Sequence, residues 1–292
     1  MLFYPQANAF IMIDGEDVSS GPPPPSWNSR QYERSVQNVL ERVRVSRTGD
    51  AILQTVRDLA RRPGQPGGVT SQLFIAPDFS PRGAHVRLVS SNLNASKVLY
   101  NPLDYTEGNS YCLNNRWAVL VHELFHGVSG LSGQHSSQPL DRRHGGTAHY
   151  PNAEEFYAVL VANIFASETG LVLRDGYSQY ATDVDPVFLR LCNEVTNRPA
   201  GLTIQRAFTS APASLSECLQ NAGMKNFSFD AVARFSRQFT EIYRDVIVQL
   251  CSRVPLLCNR LRGIAVNIAP FNPIRDVEEI RRGPSQSQLH AP

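Results

Sequence analysis

Apolar residues recur along this chain at two different periods, and the switch between them marks its organisation. From Ser29 to Val45, apolar Val36, Val39, Leu40 and Val43 form a stripe with charges opposite, which predicts a helix. Asp50 then precedes Ala51-Ile52-Leu53-Gln54-Thr55-Val56, which predicts a second helix capped by that aspartate and running to about Arg62. Pro63-Gly64-Gln65-Pro66-Gly67-Gly68 reads as a loop. Three short runs follow, Gln72 to Ala76, His85 to Ser90 and Lys97 to Asn101. Each is bounded by Gly, Pro, Asn or Ser, and each predicts a strand. Ahead of all this, Ala9 to Gly15 suits a short strand and turn. Pro22 to Pro25 can form neither helix nor central strand, so residues 1–28 are expected as a flexible proline-rich segment.

The helical period then returns in a more apolar form. Trp117-Ala118-Val119-Leu120-Val121 leads without a breaker into His122-Glu123-Leu124-Phe125-His126-Gly127, predicting a helix that ends near Gly127. Residues four apart share a helix face, so His122 and His126 can bind one metal ion together. Glu123 lies about 100° round the axis from His122, within reach of a water at the metal's open position. This H-E-x-x-H pattern is the zincin arrangement, in which two imidazoles hold Zn²⁺ and a carboxylate takes a proton from water. The competing reading is an ordinary core helix with two satisfied histidines.

After His126 the chain turns glycine- and serine-rich. His135, His144 and His149 in this stretch read as solvated loop residues rather than ligands. Asn152 is then a fitting N-cap for an apolar helix from Ala153 to Phe165 with Glu154 and Glu155 in its first turn. Acids there suit the helix dipole. A carboxylate on so apolar a helix also calls for a positive partner, and a zinc ion on His122 and His126 would be one. Glu155 is favoured over Glu154 as the third ligand. Beyond it, Val184 to Leu191, Ser214 to Gln220 and Phe229 to Val254 read as helices. The last carries the stripe Val232, Phe235, Phe239, Ile242, Val246 and Leu250, a core pattern with no chemistry of its own.

Composition narrows the function classes. The 292 residues are 42% hydrophobic, enough for a real core, and the net charge of +2 is too mild to argue for nucleic acid. No apolar run reaches the roughly 18 residues of a membrane span. The N-terminus lacks the basic and apolar regions of a Sec signal peptide. Five cysteines without a C-x-x-C pattern suit thiols in a reducing compartment better than a disulfide scaffold. Lys97 and Lys225 are the only lysines among 28 basic residues, a bias that a GC-rich genome or avoidance of ubiquitin acceptors would each produce.

These residues together resemble the NleD-type zinc metalloprotease effectors of bacterial type III secretion, which also occur as toxin domains of Rhs proteins. The similar parts are Arg47-Thr48-Gly49-Asp50-Ala51-Ile52-Leu53, Tyr100-Asn101-Pro102, Trp117 through Gly127, and Glu154-Glu155 followed by Asn163, Glu168 and Arg174, so the likeness spans roughly residues 30 to 180. The resemblance implies a gluzincin: two histidines and a downstream glutamate on one zinc ion, in a small cleft-forming fold. It also implies delivery into another cell and limited cleavage of a signalling protein there. The particular substrate does not transfer, because specificity lies in loops that differ between members.

The expected fold is therefore α+β. A zincin-like core over residues 29–182 would pair a small sheet with the H-E-x-x-H helix and the Glu155 helix. A helical C-terminal region over 183–283 and a polar tail over 284–292 would follow. The expected activity is that of a zinc endopeptidase with one Zn²⁺ on His122, His126 and Glu155 and with Glu123 as general base. Arg174, Tyr177 and Tyr180 are candidates for the oxyanion donor, with Tyr180 first. A protein or peptide substrate, export by a specialised system and action in a target-cell cytosol complete the expectation. Two alternatives stand beside it: a binding effector with a structural or degenerate zinc site, and a zinc amidase acting on a non-protein substrate.

Overall fold

Five strands make one sheet, and its central pairings are parallel. The computed structural model describes residues 2–4, 10–61, 72–79, 85–90, 95–104, 115–135, 140, 150–171, 173 and 229–282. The strands are β1 (Leu2–Phe3), β2 (Ile11–Ile13), β3 (Leu73–Ala76), β4 (His85–Ser90) and β5 (Ala95–Leu99). Their order is β1-β2-β3-β5-β4. β2–β3 and β3–β5 run parallel, while β1–β2 and β5–β4 are antiparallel, so antiparallel strands close both edges. Ile11, Ile13, Leu73, Ile75 and Val98 are fully buried in the core.

Part of the leading segment packs into the fold. β1 and β2 belong to the sheet, and Tyr4 is completely buried with its hydroxyl donating to Glu41 at 2.8 Å. The residues on either side of the exposed proline run are held as well. Ser20 Oγ donates to the Pro77 carbonyl at 2.9 Å, and Trp27 Nε1 donates to the Gly15 carbonyl at 3.0 Å. Trp27 also meets the edge of Phe79 with ring centroids 4.7 Å apart.

Helices α1 (Ser29–Arg44) and α2 (Arg47–Ala60) fall where the stripes placed them. The cap of α2 differs from the expected Asp50. Ser46 is the N-cap, its Oγ accepting from the Gly49 N–H at 2.8 Å, and Asp50 sits in the first turn. A side chain at Gly49 would bring its Cβ within 2.1 Å of the Val43 carbonyl oxygen, so the tight α1–α2 junction requires glycine. A second cap comes from afar. The Glu168 carboxylate accepts from the Arg47 N–H, from the Thr48 N–H at 2.9 Å and from Thr48 Oγ1 at 2.8 Å.

Helix α3 (Arg116–Leu131) carries the H-E-x-x-H residues and is buried on every side. It packs against α1, α2, β5 and helix α4 (Ala153–Thr169). Asn115 starts it by accepting from the N–H groups of Trp117 at 3.0 Å and Ala118 at 3.3 Å. The expected stop at Gly127 is overturned, because the helix runs one further turn. That glycine instead allows close approach to the sheet, since a Cβ there would lie 2.7 Å from Leu73 Cδ1. Tyr100, just past β5, ties strand to helix by donating its hydroxyl to the Arg116 carbonyl at 2.8 Å.

Three helices follow: α5 (Phe229–Arg253), α6 (Pro255–Arg262) and α7 (Pro273–Arg282). Helix α5 kinks at Tyr243, and this rephases the expected stripe. Val232, Val246 and Leu250 are buried, but Ile242 is 54% exposed. The group seats on α4 and α2. Phe156 stacks on Phe239 with centroids 6.0 Å apart, and Arg260 Nη1 donates to Thr55 Oγ1 at 3.0 Å while its guanidinium pairs with Asp58. The helices expected at 184–191 and 214–220 and the tail after 283 lie outside the described residues. No helix among the described residues is long and apolar enough to cross a membrane.

Candidate metal centre

Two helices aim three donor atoms at one point. On α3, His122 and His126 are one turn apart with rings edge-on, their centroids 4.8 Å apart. On α4, Asn152 accepts from the Glu155 N–H at 2.9 Å and fixes the first turn, so the Glu155 side chain projects toward α3. The Nε2 atoms of the two histidines are 3.2 Å apart, and Glu155 Oε2 lies 3.1 Å from His122 Nε2 and 3.3 Å from His126 Nε2. A tetrahedral ion with bonds of about 2.0–2.1 Å has ligand-to-ligand edges of about 3.3–3.4 Å. The triangle of donors is close to one face of that tetrahedron, so the residues fit a zinc-sized ion.

Electrostatics in the ion-free cluster point the same way. Burial works to lower the His126 pKa, but hydrogen bonds to Glu154 and Glu155 and the charges of Glu123 and Glu155 raise it to about 10. Burial works to raise Glu155, but hydrogen bonds to both histidines hold it far below the usual carboxylate range. The cluster is built to hold a positive charge among its carboxylates. Glu123, beside His122 on α3, is 5% exposed.

The two consecutive glutamates do different things. Glu155 keeps 20% of its side chain exposed, whereas Glu154 keeps 2%. Glu154 Oε1 faces the other edge of the His126 ring, 3.4 Å from Nδ1, and lies 3.5 Å from His135 Nδ1. Hydrogen bonds with His126, His135 and Ser129 outweigh its burial and lower its pKa to about 2. His126, His135 and Glu154 thus form a second group at the rear of the first. His135, expected as a solvated loop residue, reaches it because α3 ends in a tight reversal. Gly133 has φ +69, and the Gln134 N–H donates back to the Ser129 carbonyl at 3.0 Å. From α5, Arg253 Nη1 donates to the Gln134 carbonyl at 3.3 Å. Only the left-handed glycine hinted at this turn in the sequence. Arg174, Tyr177 and Tyr180, the oxyanion candidates, and His144 and His149 lie outside the described residues.

An α+β core that gathers two imidazoles and a carboxylate at one point defines a candidate metal-binding domain. Comparison with known families sharpens that class. Residues 26–168 match the Peptidase_M91 family, described as "Effector protein", so this part of the chain is similar to that family of effector peptidases. The match opens just before α1 and closes at Glu168, the residue that caps α2. Neither the curated proteins nor the solved structures yielded a match.

Proposed function

We propose that the protein is a zinc-dependent endopeptidase of gluzincin type, an effector that cuts a protein inside a target cell. The observation that carries this reading is the triangle of His122 Nε2, His126 Nε2 and Glu155 Oε2, with edges of 3.1–3.3 Å. The family's description as an effector supports delivery into another cell and a protein substrate. The parallel-centred sheet with the metal-site helix packed against it supports a zincin-like core.

When bound, a zinc ion supplies Lewis acidity that polarises a peptide carbonyl and brings the pKa of water near neutrality. The protein's own residues do the rest. His122 and His126 present neutral Nε2 lone pairs, and Glu155 contributes the negative charge. Glu123, held at the next position round α3, accepts a proton from the attacking water and delivers it to the leaving amine. The buried surroundings, with Phe125 beside His126 and Tyr157 beside Phe125, exclude bulk water and strengthen these interactions.

The test compares native protein with Glu123→Ala. Native protein applied to lysates should create new protein N-termini, found by terminal proteomics. Glu123→Ala should hold one zinc per chain and lose cleavage by about 10²–10⁴-fold. A variant that cuts as well as native would overturn the role of Glu123. Effects in cells that persist in this variant would favour a binding effector instead.

A further inference from the structure

The Glu154 carboxylate is buried, meets His126 at Nδ1 rather than at Nε2, and is held by three side chains. Burying a carboxylate is costly unless it is paired and hydrogen-bonded, and here the partners are specific. Ser129 and His126, three apart, come from one face of α3, and His135 from the reversal that ends α3. His126 has two ring nitrogens. One faces His122 and Glu155 across 3.2 and 3.3 Å, and the other faces Glu154 across 3.4 Å. An imidazole that keeps its proton on Nδ1 must leave Nε2 free as a lone pair, and an acceptor at Nδ1 selects that tautomer.

We propose that Glu154 is the positioning carboxylate of His126: it accepts the Nδ1–H, turns the Nε2 lone pair toward His122 and Glu155, and holds His135 as a cap over the rear of the ring. This rests on the zinc reading of the front cluster. Two neighbouring glutamates on one helix turn thereby divide the labour, Glu155 toward the ion and Glu154 toward the histidine that holds it. The cap also joins the site to the C-terminal helices, since Arg253 of α5 fixes Gln134, the residue before His135.

The experiment measures zinc affinity by competition with a chromophoric chelator and the visible spectrum of the cobalt-substituted protein. It compares native, Glu154→Ala, Glu154→Gln and Glu155→Ala, with circular dichroism to confirm folding. Glu154→Ala should bind zinc about 10–100-fold more weakly and shift the cobalt bands, as loss of an outer-shell partner does. Glu154→Gln keeps a carbonyl acceptor but no charge, and should fall between native and Glu154→Ala. Glu155→Ala should lose more affinity than either. Native affinity and native cobalt bands in Glu154→Ala overturn the proposal. Should that variant not fold, the same result in Glu154→Gln overturns it. Greater loss in Glu154→Ala than in Glu155→Ala would reverse the two roles and also overturn it. Native protein that takes up neither metal is a separate outcome, which sinks the zinc reading and this inference with it.

Discussion

The region 26–168 and the helices α5 to α7 bury polar groups for opposite ends. In the first, His122, Glu123, His126 and Glu154 lie at 5% exposure or less, in and beside a group of donors that could hold a metal ion. In the second, the buried polar residues satisfy one another. Ser236 donates to Asp276 and accepts from the Asn272 N–H at 2.9 Å, while Asn272 Nδ2 donates to the Leu261 carbonyl at 2.8 Å. One cluster gathers charged groups and the other pairs neutral donors and acceptors with a carboxylate. Burial alone therefore does not mark a site. What marks it is two imidazoles and two carboxylates facing each other at hydrogen-bonding distance.

That contrast can be broken most sharply at Glu155. Glu155→Ala should abolish zinc retention through gel filtration and, with it, cleavage, while circular dichroism stays native. Metal analysis beside a protease assay checks both. Next comes pH. In metal-free protein the folded-state pKa of His126, about 10, lies above its unfolded value of about 6.5. Its contribution to stability is therefore complete below about pH 6.5 and is lost as pH rises toward 10. Chelated protein should melt at steadily lower temperature from pH 7 to 10, and zinc-loaded protein should not. The smallest effect belongs to the self-satisfied cluster. Asp276→Ala leaves Ser236 and Arg275 without their acceptor and should cost about 1–3 kcal/mol in denaturant unfolding. Its zinc affinity should equal native.

The part of the site that could be read in the sequence was the part governed by a single helix. His122 and His126 are four apart on α3, and helix geometry alone puts them together. The choice between Glu154 and Glu155 depended on two helices. Both acids reach α3, and only the packing of α4 decides which edge of the His126 ring each one meets. His135 depended on a chain reversal that only Gly133 signalled. Elsewhere some misses were a local signal overridden by a distant contact, and others were local. Two-residue β1 is too short to show a period and exists because β2 pairs with it. Gly127 reads as a stop and serves as a contact with Leu73. The kink at Tyr243 turned Ile242 out of a stripe that, on a straight helix, would have kept it inside. The expectation for Tyr180 falls outside the described residues, and the oxyanion donor has no assignment.

Helix α4 is held like a beam with both ends fixed. Asn152 grips its first turn, and Glu168, in its last, is bolted to the start of α2 through three hydrogen bonds. A beam so fixed cannot slide along its own axis or rotate without loosening α2. The spacing of Glu154 and Glu155 against the His126 ring is thereby referenced to an anchor more than three helical turns away. Sequence change at Arg47-Thr48 or Glu168, remote from any reacting atom, would reach the centre as a shift in alignment rather than as a missing group.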